Sequence, residues 1–178
     1  MLAKQLRTLH SSIAGYDKQI AQLFKEHPDA LLFESLPGAG AILAPRLLTA
    51  FGPDRTRHPD AKGMQTYCGV APVIERSGKS RWTHWRWNCP KFLRQTFHEY
   101  AKSSIPYSAW GRAFYDQQKQ RGNGHNAAIR SLAFKWIRVI HRCWQTHTPY
   151  DEARYLQALE LRGSPLCRLI AAPDREAS

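Results

Sequence analysis

Ser77 stands in the run Arg76-Ser77-Gly78-Lys79-Ser80, a hydroxyl at a glycine turn with cations on both sides. Arg76, Lys79, Arg81 and Arg86 can neutralise phosphate oxygens, while the indoles of Trp82, Trp85 and Trp87 can stack on bases or brace a backbone. Such a serine either holds a phosphate or attacks one. Attack on phosphorus would require a proton acceptor and cations on the pentavalent oxygens, because phosphoryl transfer depends on positioning and electrostatics. His84 is a candidate acceptor or phosphate contact, and Ser80 is the neighbouring hydroxyl. Two-metal hydrolysis would instead need several convergent carboxylates. None lies between Glu75 and Glu99, and the other acids stand singly or at helix starts such as Asp151-Glu152. No metal site is expected within this chain.

The elements that must present these groups are predicted to be helices around one irregular segment. Residues 70–87 lack a helical period, contain Pro72 and Gly78 and alternate late, which predicts an irregular stretch or a small hairpin turning at Gly78. Upstream, Leu36-Pro37-Gly38-Ala39-Gly40 separates a short helix, capped by Asp29, from a second one over Ala41 to Phe51. Helix, glycine turn, helix resembles a helix-hairpin-helix, in which backbone N–H groups at Gly38 and Gly40 would hold a phosphate. A tight turn without ligand is the equal alternative. Asp60 caps a further short helix ending at Gly69, and Pro90 and Pro106 open helices carrying Phe92, Leu93, Phe97, Tyr100, Trp110 and Phe114. From His125 to Thr146, Ile129, Leu132, Ala133, Trp136, Ile137, Ile140 and Trp144 fall at helical spacing and predict a core helix.

Charge says where a partner lies. The formal charge is +12, from 26 basic and 14 acidic residues. Arg76–His98 holds Arg76, Lys79, Arg81, Arg86, Lys91 and Arg94, and Gln117–Tyr150 holds Lys119, Arg121, Arg130, Lys135, Arg138 and Arg142. Neither window contains an acid, so together they account for the whole excess. Basicity concentrated in this way is an electrostatic footprint for nucleic acid. Six phosphate contacts would give a salt slope of roughly −5. No basic amphipathic helix with a clean apolar face points to a membrane.

At the amino terminus Leu2, Leu6, Leu9, Ile13, Tyr16, Ile20 and Leu23 repeat at steps of four and three. That heptad seam predicts a coiled-coil-like helical arm over 1–28, ending at His27-Pro28. The arm either pairs with a second copy of the chain or lies on its own domain. A helical domain over 29–166 and a frayed tail over 167–178 complete the organisation. No signal-peptide core or membrane-length apolar run is present, so a cytoplasmic protein, nucleoid-associated when bound to DNA, is expected. Cys68, Cys89, Cys143 and Cys167 are scattered without C-x-x-C pairs and read as buried small hydrophobes.

Ser35-Leu36-Pro37-Gly38-Ala39-Gly40, Tyr67-Cys68-Gly69-Val70-Ala71-Pro72 and Glu75-Arg76-Ser77-Gly78-Lys79 occur in that order. Cys89 to Phe97, Arg130 to Arg138 and Pro149-Tyr150-Asp151-Glu152 follow. Together they resemble the carboxy-terminal domain of the insertion-sequence-110 family of transposases, the bridge-RNA-guided DNA recombinases, over roughly residues 31–166. The resemblance implies a serine nucleophile, which falls on Ser77, DNA as substrate and a guide RNA as partner. It also implies a RuvC-like amino-terminal domain whose carboxylates bind Mg²⁺. These 178 residues contain no such domain, so the reading expects part of a transposase, active only when complemented. A non-catalytic DNA- or RNA-binding module is the alternative. A nucleophilic Tyr100, Tyr107 or Tyr115 is less well placed, because their surroundings fit helix packing.

Overall fold

The computed structural model describes residues 1–84 and 86–171; Trp85, the side chain of Arg81 and residues 172–178 lie outside the described part. The fold is mainly helical with one small two-stranded antiparallel sheet, as expected. Helix α1 (Leu2–Glu26) forms over the heptad seam, yet Leu6, Leu9, Ile13, Tyr16, Ile20 and Leu23 stay in solvent and Phe24 is its buried residue. His27 is extended, as the residue before a proline prefers, and this ends the arm.

Asp29 precedes α2 (Ala30–Glu34) but does not cap it, contrary to the sequence expectation. Its buried carboxylate accepts from Arg55 Nη2 at 2.7 Å, with His147 Nδ1 at 3.6 Å. A buried carboxylate needs an opposite charge more than it needs a backbone amide, and Arg55 supplies it. Arg55 also donates from Nε to the Trp144 carbonyl at 2.8 Å, so the root of the arm is tied to the end of α7.

The turn into α3 (Gly40–Phe51) is set by a close backbone approach. Gly38 has φ +74°, and a Cβ there would lie 2.4 Å from the Ser103 carbonyl oxygen. Ser103 Oγ donates to the Gly38 carbonyl at 2.7 Å and closes the contact. Helix α4 (Ala61–Tyr67) starts on Asp60, whose Oδ1 accepts from the Gly63 N–H at 2.6 Å. Strands β1 (Val73–Ser77) and β2 (Ser80–His84) then form a ribbon running from Val73 opposite His84 to Ser77 opposite Ser80. Gly78 takes φ +56°, the left-handed value that the first position of a Gly-X two-residue hairpin turn uses.

Helices α5 (Lys91–Ser104), α6 (Ala109–Gln120) and α7 (His125–Gln145) make the core, with α5 and α6 both packed on α7. The predicted apolar stripe of α7 is buried from Ile129 to Trp144. Trp136 is its hub. Its ring lies 4.5 Å from Trp110 and 5.3 Å from both Tyr100 and Tyr150, and its Nε1–H donates to Ser104 Oγ at 2.7 Å. Trp110 Nε1 donates to Tyr150 Oη at 2.7 Å, and Tyr150 Oη donates to Glu152 Oε2 at 2.5 Å, ahead of α8 (Glu152–Leu161). The Pro149–Glu152 motif therefore locks the core. The frayed tail expected from residue 167 is helical as far as Ala171, as α9 (Leu166–Ala171), because Leu166 and Ile170 pack on that core.

Two stability outcomes follow from these contacts. Trp136→Ala should lower the unfolding free energy by about 3–5 kcal/mol in urea titrations followed by circular dichroism. Gly38→Ala should destabilise more than Gly40→Ala in the same titration, since nothing lies within 4 Å of a Cβ at Gly40.

Candidate functional site

The ribbon carries Ser77 at its tip. Ser77, Gly78, Lys79 and Ser80 are all exposed, and neither strand packs extensively against a helix. Alternation along β1 puts Ser77 on the same face as Glu75, joined on that face by Ser80, Trp82 and His84 of β2, and puts Arg76 on the other. His84 Nε2 lies 3.2 Å from Glu75 Oε2, a diagonal cross-strand pair. His84 is opposite Val73, four residues back from Ser77, so about 13 Å of strand separates the two backbone positions, and the imidazole is engaged by Glu75. The ribbon therefore does not bring His84 to Ser77 as a proton acceptor. Arg81 pairs through its backbone with Arg76; its side chain lies outside the described residues, as does Trp85.

Below the ribbon, the chain turns into α5 and the cations converge. The Cys89 N–H donates to the Trp87 carbonyl at 3.1 Å, and Arg94 Nη1 donates to the Arg86 carbonyl at 3.4 Å. Trp87, Lys91, Arg94, Gln95 and His98 line an open groove of about 500 Å³. Lys91, Arg94 and His98 share a helix face because they stand three and four residues apart. The His98 imidazole is held below the ordinary histidine range by burial, then by Arg130 and Arg94, so it is neutral at pH 7. Arg130 comes from α7. The two acid-free windows of the sequence thus meet at His98. Glu99, which closes the first window, is tied down by Gln95 Nε2 at 2.6 Å and by an ion pair with Arg46 of α3.

The other predicted contacts lie apart. Lys135 sits over the Phe114 ring at 4.2 Å, and burial followed by Arg138 and Arg121 pushes its pKa down. Arg138 is exposed, two turns along α7 from Arg130. Gly38 backs onto Ser103, about 14 Å along α5 from Arg94, and Gly40 faces solvent. Of the tyrosines, Tyr100 is fully buried against Trp136, whereas Tyr107 is exposed. Trp87 is where the sequence expects a stacking indole, whereas Gln95 and His98 are not among the residues it predicts to bind. The signal for them is the helix period that puts His98 beneath Arg94. Among the described residues no group of three or more His, Cys, Asp and Glu side chains is placed to hold a metal ion, and no helix is long and apolar enough to cross a membrane.

Comparison with known proteins identifies this architecture. Residues 30–116 match the transposase model of the IS116/IS110/IS902 family. The chain is 31% identical over 152 residues to the IS117 mini-circle protein of Streptomyces coelicolor, covering 84% of this chain and 37% of that one. It is 30% identical over 161 residues to the 43.6 kDa protein of insertion element IS110 from the same organism, covering 90% and 39%. To the 42 kDa protein of IS900 from Mycobacterium paratuberculosis it is 29% identical over 154 residues, covering 85% and 38%. The chain therefore spans under two fifths of the length of these relatives. It belongs to the IS116/IS110/IS902 transposase family, of which it carries a part.

Proposed function

We propose that this chain is the serine-bearing part of a DNA transposase, with Ser77 as nucleophile and the cations below it holding the strand. The observation that carries the reading is the exposed, acid-free ribbon tip, followed in the chain by the helix on which both basic windows meet at His98. In the reaction, Ser77 Oγ bonds to phosphorus and loses its proton, while the bond from phosphorus to one sugar oxygen breaks and that oxygen takes up a proton. Attack on the phosphoserine by another strand's hydroxyl reverses these changes and rejoins DNA. Arg76, Lys79 and Arg81 neutralise phosphate charge near the tip; Arg86, Lys91, Arg94 and Arg130 extend the track, and Lys135 and Arg138 are further contacts along α7, apart from the groove. Gly38 and Gly40 are a further phosphate contact, away from the groove.

The acids described here do not cluster to hold Mg²⁺. In this reading a RuvC-like domain supplies the metal, whose chemistry is to offset charge on the reacting phosphate. A guide RNA and a second copy of the chain, paired through the exposed α1 seam, are the remaining partners. The second reading is a non-catalytic DNA- or RNA-binding module. Its support is the pairing of His84 with Glu75, about 13 Å of strand from the Ser77 backbone position, and the placement of Arg76 on the opposite face.

A protein–DNA adduct trapped in the presence of a complementing RuvC-like domain should vanish with Ser77→Ala and persist with Ser80→Ala. An adduct surviving Ser77→Ala selects the second reading. Replacing Arg130 and Arg138 by Gln should weaken duplex binding across sequences and flatten the salt slope by about one each. Ile13→Glu in the α1 seam should shift the sedimentation mass from dimer to monomer without changing the melting temperature of the body.

A further inference from the structure

The groove beside α5 has a feature that phosphate neutralisation leaves unused. Trp87 is 78% exposed, an indole left in water although burying it would be favourable. Its backbone is held, because its carbonyl accepts from Cys89 and the preceding carbonyl accepts from Arg94. The ring is thus presented from a fixed turn at the mouth of a groove. Lys91 and Arg94 line that groove, and Arg130 approaches it from α7 at His98. Gln95 contributes its amide; its nitrogen donates to Glu99, which leaves the carbonyl oxygen to accept from a ligand. No carboxylate lines the groove.

A duplex offers such a site little. Its base faces are covered by their neighbours, and its grooves expose base edges only. An unpaired nucleotide offers a bare face for the indole and phosphates on either side for the cations. We propose that this groove takes one unpaired nucleotide of a polynucleotide strand, the base stacked on Trp87 and the flanking phosphates on Lys91 and Arg94. The inference rests on the reading that the basic surface holds nucleic acid, and it names the form of that nucleic acid. Stacking does not distinguish DNA from RNA, so both strands are ligands by this chemistry.

Fluorescence anisotropy of the full chain with labelled oligonucleotides of about a dozen units tests it. The probes are single-stranded oligo-dT and oligo-U, a blunt duplex, and an abasic single strand with the same phosphates. Trp87→Ala should weaken binding to oligo-dT or oligo-U by about tenfold, as loss of one stacked base does. The larger loss identifies the strand type the groove prefers. Duplex and abasic binding should change by less than about twofold, and Trp87→Phe should restore most of the single-strand affinity. Equal loss on all four probes, or no loss on the two single strands, overturns the inference while leaving duplex binding and the proposed function standing. Absence of salt-dependent binding to every probe overturns both. Because Trp87 is solvated, its replacement leaves the core untouched, and unchanged circular dichroism verifies this.

Discussion

The contact between α5 and α7 around Trp136 is the constraint on which the rest depends. Ser104, Tyr100, Trp110 and Tyr150 close on that one indole, so the angle between the two helices is fixed by packed rings and a buried hydrogen bond. Close-packed aromatic contacts of this kind do not slide. Everything basic then follows from where the two helices meet. His98 on one and Arg130 on the other become neighbours, and charges more than thirty residues apart in sequence share one surface. The core does not merely support the site; it chooses which cations are adjacent.

The electrostatic consequence concerns three acids. Glu99 is bound by Arg46 and Gln95, Asp29 is buried against Arg55, and Glu75 faces His84. These three carboxylates are each used in a structural pair. The region around α5 therefore keeps an excess of positive charge.

Much of the fold was legible because its signals are local. The α7 stripe, the heptad seam of α1, the Asp60 cap and the glycine turn at Gly78 each depend on residues within one element, and each occurs where the pattern places it. What sequence could not reveal is long-range partnership. Asp29 resembles a cap until Arg55 arrives from a later loop. Gly38 looks like a phosphate turn by composition, yet its close neighbour is Ser103 from α5. Lys135 counts as one more cation until Phe114 lies beneath it. The groove was hidden for the same reason, because Trp87, on a turn, and His98, on a helix, share no periodic pattern. Family resemblance points to Ser77 within its motif. The ribbon then shows its neighbours to be Ser80 and Glu75 rather than His84.

The arm has a geometric corollary. A helix of 25 residues is about 37 Å long, close to one turn of B-form DNA. Two such rods paired in parallel along the seam would set a pair of bodies side by side. Paired antiparallel, they would hold the bodies about one rod-length apart. The polarity of a single seam would thus set the spacing between the two ribbons.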